Sequence, residues 1–105
     1  MSNSVFQSVI IQLREISERT FGVIDTEGCV VSCTDMSLLG ERWTDAALKV
    51  SNAGDSIVTF AQKTFKAIIG ASNFFEYAVF CGGEDELACG LCAMAHVALS
   101  EAKAF

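Results

Sequence analysis

The sequence predicts an α+β domain: one five-stranded antiparallel sheet with N- and C-terminal helices packed on it. Three observations carry this expectation. Apolar residues recur at helical spacing at both ends of the chain. A hairpin signal, "FGVIDTEGCVVSCTD", follows the first helix. Three further strand-like runs, separated by turn residues, precede the last helix. At 105 residues, 51% of them hydrophobic, the chain makes one domain whose core needs neither disulfide nor metal.

The first helix is expected over residues 4–18. Phe6, Val9, Leu13 and Ile16 form its stripe, and Ile10 widens it. Ser4 or Asn3 is the expected cap. In the hairpin, residues 21–24 and 29–34 flank a turn over 25–28. Asp25 at the first turn position bonds the backbone two residues on. Gly28 at the fourth supplies a left-handed conformation, so a type I turn with a following bulge is expected. Strict alternation puts Cys29, Val31 and Cys33 on one face, and Val30, Ser32 and Thr34 on the other. Thr34 and Asp35 end the strand and suit a cap for the next segment.

Gly40 breaks the stretch that follows. Thr44 is the expected cap of a short helix over 45–51 that stops before Gly54. "SIVTF" and "TFKAI" read as strands about Ala61, Gln62 and Lys63. "GASN" is a turn, and "FFEYAVFC" is a buried strand rich in aromatics. Gly82 and Gly83 end it. Glu84, Asp85 and Glu86 then open the last helix, where its dipole favours carboxylates.

Charge excludes some functions. The net charge is −6 with seven Lys and Arg and no basic cluster, so nucleic acid and acidic membrane surfaces are not expected partners. No apolar run approaches the ~20 residues that span a bilayer. Five cysteines, an odd number, with no secretory segment before them, point to a reduced, cytoplasmic setting. The last residues, "SEAKAF", keep a helical pattern, so a fragment of a longer protein is expected.

"CGLCAMAH" poses the main chemical question, because two thiols and an imidazole lie within eight residues. Zinc takes four ligands, or three and a water, and no second CxxC is present. Unbridged cysteine is also among the most buried residue types. Neither metal nor cofactor is expected. On a helix, Leu87, Leu91, Met94 and Ala98 form one apolar stripe, and Cys92, Ala95, Leu99 and Ala102 a second. The sheet can cover one stripe and a partner helix the other, so a homodimer is expected, with Leu91, Met94, Ala95 and Leu99 as interface candidates. No nucleophile and base lie at a catalytic spacing, so the chain is not expected to be an enzyme.

A concave sheet and the short helix would enclose a pocket, with Trp43, Phe65, Lys66, Asn73 and Tyr77 as its candidate lining. Lys66 is the anion anchor in that arrangement, and an acidic metabolite the matching ligand. Four of the five also have a plain structural role: Trp43 as a lid over the core, Lys66 as an edge charge, Tyr77 as core, Asn73 in the turn.

Three segments carry a resemblance: "FGVIDTEGCVVSCTDMSLLGE", "AALKVSNAGDSIV" and "KTFKAIIGASNFFEYAVFCGGEDE". In this order they resemble the N-terminal sensor domain of sugar-diacid-regulator and PucR-type bacterial transcription regulators, over essentially the whole chain. Ala67 stands where those domains commonly carry proline. The resemblance implies a PAS/GAF-like fold that senses a small molecule, dimerises and passes its state to a C-terminal helix-turn-helix domain outside this chain. The competing reading is a ligand-free pairing module of roadblock-like type.

Overall fold

Turn chemistry sets the first hairpin. The Asp25 carboxylate accepts from the Glu27 and Cys29 N–H groups at 2.9 and 3.0 Å, and the Gly28 N–H closes the turn on the Asp25 carbonyl at 3.0 Å. Gly28 has φ +85°, as a type I turn with a bulge requires. This hairpin belongs to a computed structural model that describes residues 4–70 and 74–104. In chain order the elements are α1 (Ser4–Leu13), β1 (Phe21–Asp25), β2 (Val30–Cys33), a 3-10 turn (Met36–Leu38), α2 (Thr44–Ala53), β3 (Val58–Phe60), β4 (Lys63–Ile69), β5 (Phe75–Gly82) and α3 (Glu86–Ala104). The strands form one sheet in the order β2-β1-β5-β4-β3, with every neighbouring pair antiparallel. This is the expected α+β architecture.

Alternation along the strands divides the interior in two. Val23, Ile68, Val79 and Cys81 pack under α1 and α3, against Phe6, Ile10, Cys92, Ala95 and Leu99. Ile24, Phe65, Ala67, Ala78 and Phe80 pack on the other face under α2, against Ala46 and Val50. α1 and α3 therefore share one layer, and α2 is alone on the other.

Local details depart from the expected ones. α1 ends at Leu13, not near residue 18, because 3-10 bonds tighten the chain there: Arg14, Glu15 and Ile16 each donate three residues back. Ile16 is consequently exposed. Ser4 is already helical, and Asn3 lies outside the described residues. The expected faces of β2 are wrong. Val23 pairs with Ser32 but Ile24 with Val30, so Val31 is the extra residue of a bulge. The slip places Val30 and Cys33 together on the α2 face. Asp35 caps the 3-10 turn, accepting from the Ser37 N–H at 3.1 Å. Thr44 is the first helical residue of α2 and not its cap, and α2 continues to Ala53 before Gly54 at φ +65°. Ala61 and Gln62 form the β3–β4 turn with φ of 53° and 65°. Glu84 steadies that left-handed pair by accepting the Gln62 N–H at 2.7 Å.

Arg19 and Asp85 tie the two helical ends together. The guanidinium meets the carboxylate at 2.6 and 2.9 Å and also donates to the Gly82 carbonyl at 3.2 Å. Asp85 in turn accepts from the Ala88 N–H at 3.2 Å and so caps α3. The ion pair holds Asp85 below the usual carboxylate range.

Gly22 has no room for a side chain. A methyl group there would come within 2.4 Å of the Phe80 ring and 2.6 Å of the Ser32 carbonyl. Gly22→Ala should therefore lower stability by about 2 kcal/mol or more, read as a reduced urea midpoint with an unchanged slope. A midpoint equal to that of the unmodified chain would show that Phe80 is not held against this strand.

Candidate functional site

The segment before α2 carries Trp43 over the sheet. It is anchored where it crosses the hairpin turn: the Trp43 N–H donates to the Gly28 carbonyl at 2.8 Å, and a methyl group on Gly28 would meet the Trp43 carbonyl at 2.2 Å. The indole packs edge-on against Phe80, with centroids 4.9 Å apart, and against Phe65 at 6.5 Å. Its Nε1 donates to Glu41 at 2.9 Å. The Lys63 ammonium lies 4.7 Å from the indole centroid, within cation–π range.

Two open clefts flank α2. One, of about 370 Å³, is lined by Arg42, Trp43, Asp45, Phe60, Lys63 and Phe65. The other, of about 440 Å³, lies towards the far end of β4 and has Leu48, Val50, Ser51, Ile69, Phe74 and Phe75 in its walls. α2 begins beside the first cleft without a side-chain cap, so its first N–H groups and Lys63 meet the Asp45 carboxylate at that end.

The structure brings together only part of the expected lining. Trp43 and Phe65 share the first cleft. Lys66 does not join them. Neighbouring strand residues point to opposite faces, so Lys66 lies on the α3 side of β4 while Lys63, three residues earlier, reaches Trp43. Tyr77 is also on the helical face and packs edge-on against Phe6 of α1 at 4.9 Å. Asn73 lies outside the described residues. Lys63 is the residue that sequence reasoning missed. Counting parity from the two-residue turn at Ala61 and Gln62 would have found it.

α3 separates the thiols from the imidazole. Cys92 is buried over the sheet, its Sγ 3.6 Å from the Thr64 carbonyl and 3.8 Å from that of Val79. Burial pushes its thiol up to about 12, so it is no thiolate at neutral pH. His96 turns to the side of the sheet, Nε2 3.0 Å from the Ala67 carbonyl. Among the described residues, no three His, Cys, Asp or Glu side chains gather in a metal-holding group. The interface candidates also divide. Leu91, Ala95 and Leu99 are buried in the chain's own core, which corrects their expected place at a surface. Met94 is 57% exposed, and with Leu87 and Val97 it forms an apolar stripe facing away from the sheet. No helix among the described residues is long and apolar enough to cross a membrane.

No family model matches the chain, and no curated protein matches it. Solved structures do. Myxococcus xanthus MglB superposes with a TM-score of 0.60 at 13% identity, covering 97% of this chain and 86% of that one. The E. coli DcuS sensor domain gives a TM-score of 0.56 at 17% identity, covering 81% and 70%. MglB with a tetrameric arrangement gives 0.58 at 13% identity, covering 95% and 88%. At these identities the likeness shows the fold alone: an α+β domain with one five-stranded antiparallel sheet and helices packed on it.

His96 makes the acid behaviour of the chain testable. Burial, and next the nearby Lys66, push its pKa below the ordinary 6.5. A histidine depressed in the folded state contributes stability that is complete above 6.5 and is lost as pH falls through the folded value. The urea midpoint should therefore begin to drop below about pH 6.5, and His96→Gln should flatten that part of the profile. An identical profile in the variant would count against the burial of a neutral imidazole.

Proposed function

We propose that this chain is the non-catalytic regulatory domain of a cytoplasmic bacterial transcription regulator. It pairs with a second copy of itself and takes a small anionic ligand beside Trp43, and DNA binding belongs to a domain outside this chain. The hairpin and the "KTFKAI" and "FFEYAVF" segments support the regulator setting through their resemblance to PucR-type sensors. The fold shared with the DcuS sensor domain supports sensing, and the tetrameric arrangement of MglB supports self-association.

The observation that carries the reading is the outer stripe of α3. Leu87, Met94 and Val97 are 57%, 57% and 61% exposed, on the helix whose other side is the core. Three large apolar side chains in line, with Gly90 among them, are costly to leave in water and suit close helix packing with a second copy. Anion binding rests on Lys63, with Arg42 at the same cleft. Arg42 also reaches Glu27 at 3.5 Å across an exposed surface, a weak tie that an incoming anion can compete with.

One observation favours the ligand-free pairing module. Trp43 is already engaged on several sides, by Phe65, Phe80, Glu41 and Lys63, and both clefts beside α2 are open to solvent. A screen of carboxylate and phosphate metabolites decides between the two readings. For a sensor, a ligand raises the melting temperature and changes the emission of the single tryptophan. Lys63→Ala abolishes both effects and Lys66→Ala leaves them in place. If no ligand emerges, the pairing module replaces the sensor.

Pairing has its own test. Met94→Glu should remain folded and sediment as a monomer, because its side chain lies at the surface. Leu99→Glu should fail to fold, since a carboxylate there is buried without a partner. A monomeric unmodified chain at high micromolar concentration would remove the pairing role.

A further inference from the structure

The two edges of the sheet are finished differently. On the β2 side, the segment 40–42 lies along the strand: the Val30 N–H donates to the Glu41 carbonyl at 2.9 Å and the Gly40 N–H to the Val30 carbonyl at 3.0 Å. Further along, Gln7 of α1 stands in for a neighbouring strand. Its Nε2 donates to the Cys33 carbonyl and its Oε1 accepts from the Cys33 N–H, both at 3.4 Å. A primary amide offers the same donor and acceptor as a peptide group, so this edge presents little to an incoming chain.

The β3 side is left open along half its length. β3 has three residues and β4 has seven. β3 pairs with Lys63, Thr64 and Phe65 only. Among the described residues, no strand pairs with the outer side of β4 over residues 66–69, although β5 pairs with them on the inner side. Lys63 and Phe65 share the parity of Ala67 and Ile69, so the backbone groups of Ala67 and Ile69 face outward. Side chains fill the gap instead. His96 Nε2 meets the Ala67 carbonyl at 3.0 Å, and Lys66 Nζ reaches the Asp55 carbonyl. The result is an open notch of about 440 Å³, lined by Asp55, Lys66, Ile69, His96 and Ser100 among others. Ile57 and Ile69 are each 38% exposed on this side.

Charge is also concentrated there. The chain carries −6 overall, yet three of its four lysines stand on the β3 side. Lys49 lies 5.7 Å from the Phe60 ring of β3, Lys63 begins β4, and Lys66 is inside it. Asp45, Asp55 and Glu84 are the acidic residues beside them, and Glu84 is engaged by the Gln62 N–H.

We propose that the outer side of β4 over residues 66–69 is a strand-addition site for an extended, acidic segment of a partner protein. The incoming backbone donates an N–H to the Ala67 carbonyl in place of His96 and accepts from the outward N–H groups of β4. Its acidic side chains meet Lys66, and its apolar ones cover Ile57 and Ile69. At ~3.3 Å per residue, about three or four residues fill the open stretch. The site depends neither on the cleft beside Trp43 nor on pairing through α3.

His96 is the chain's single histidine, so its ring is an unambiguous NMR reporter. The full chain is used to select binders from a displayed library of random heptapeptides, and the selected peptides are titrated into isotope-labelled protein. Selected sequences should alternate acidic with β-branched residues. They should shift the Ala67 and Ile69 amides together with the His96 ring. N-methylation of the central peptide amide should cost about tenfold or more in affinity, because it removes the bond to the Ala67 carbonyl. Lys66→Glu, a half-buried side chain that leaves the core intact, should cost about tenfold through like-charge repulsion. No binders, or binders that leave the His96 ring unmoved, would overturn the proposal. So would affinity indifferent to N-methylation or to Lys66→Glu. Protection of the Ala67 and Ile69 amides that grows with concentration of the chain alone would assign the edge to a second copy and overturn it equally.

Discussion

The Phe80 ring lies against Gly22, a strand position with no side chain, and the α2 layer is built outward from that contact. β5 is the central strand of the sheet, so Phe80 stands in the middle of the α2 face. Trp43 rests on Phe80 and Phe65, and α2 starts one residue later. A Cβ at position 22 would lift the ring, and with it Trp43 and the start of α2. Gly28 applies the same constraint at the hairpin turn, where only a bare backbone lets the Trp43 segment cross. Two glycines of one hairpin thus set the height and direction of the segment that forms the cleft.

Features that depend on neighbouring residues were legible in the sequence. The Asp25–Gly28 turn, the buried aromatic strand and the capped start of α3 all follow from local chemistry. Faces were harder. The extra residue at Val31 leaves no mark in composition, yet it reverses the parity of everything after it in β2. The grouping of Phe65 with Lys66 failed for a simpler reason: adjacent residues of a strand cannot share a face, and Lys63 is the lysine with the parity of Phe65. The two stripes of α3 were visible, but not which one met the sheet. Leu91 of the first stripe is buried together with Cys92, Ala95 and Leu99 of the second, while Leu87 and Met94 project from the opposite side with Val97, which belonged to neither.

The lysines divide according to the same parity. Lys63 and Lys66 are separated by three residues and serve opposite faces of β4, one over an indole and the other beside an imidazole. Among the described residues, neither sits in an ion pair of the Arg19–Asp85 kind. Lys63 is held by a ring face and Lys66 by a backbone carbonyl, contacts that are readily exchanged for an anion. In a chain with a net charge of −6, such loosely committed cations are where an acidic partner gains most and is repelled least.

α3 then explains why a CxxCxxxH spacing need not mean metal chemistry. The helix is used in three directions at once. Cys92 points at the centre of the sheet, where a small apolar side chain lets the helix sit close and its thiol stays protonated. His96, four residues on, has rotated about 40° around the axis, enough to reach past β4 to a carbonyl at the edge. Met94 lies on the far side of the helix. Side chains that look clustered along the sequence are therefore committed to a core, an edge and a surface. Covering the surface stripe leaves the edge free, because the two lie on different sides of one rigid helix. A domain built this way presents one side of α3 for the proposed pairing and the sheet edge beside the other for the proposed extended segment.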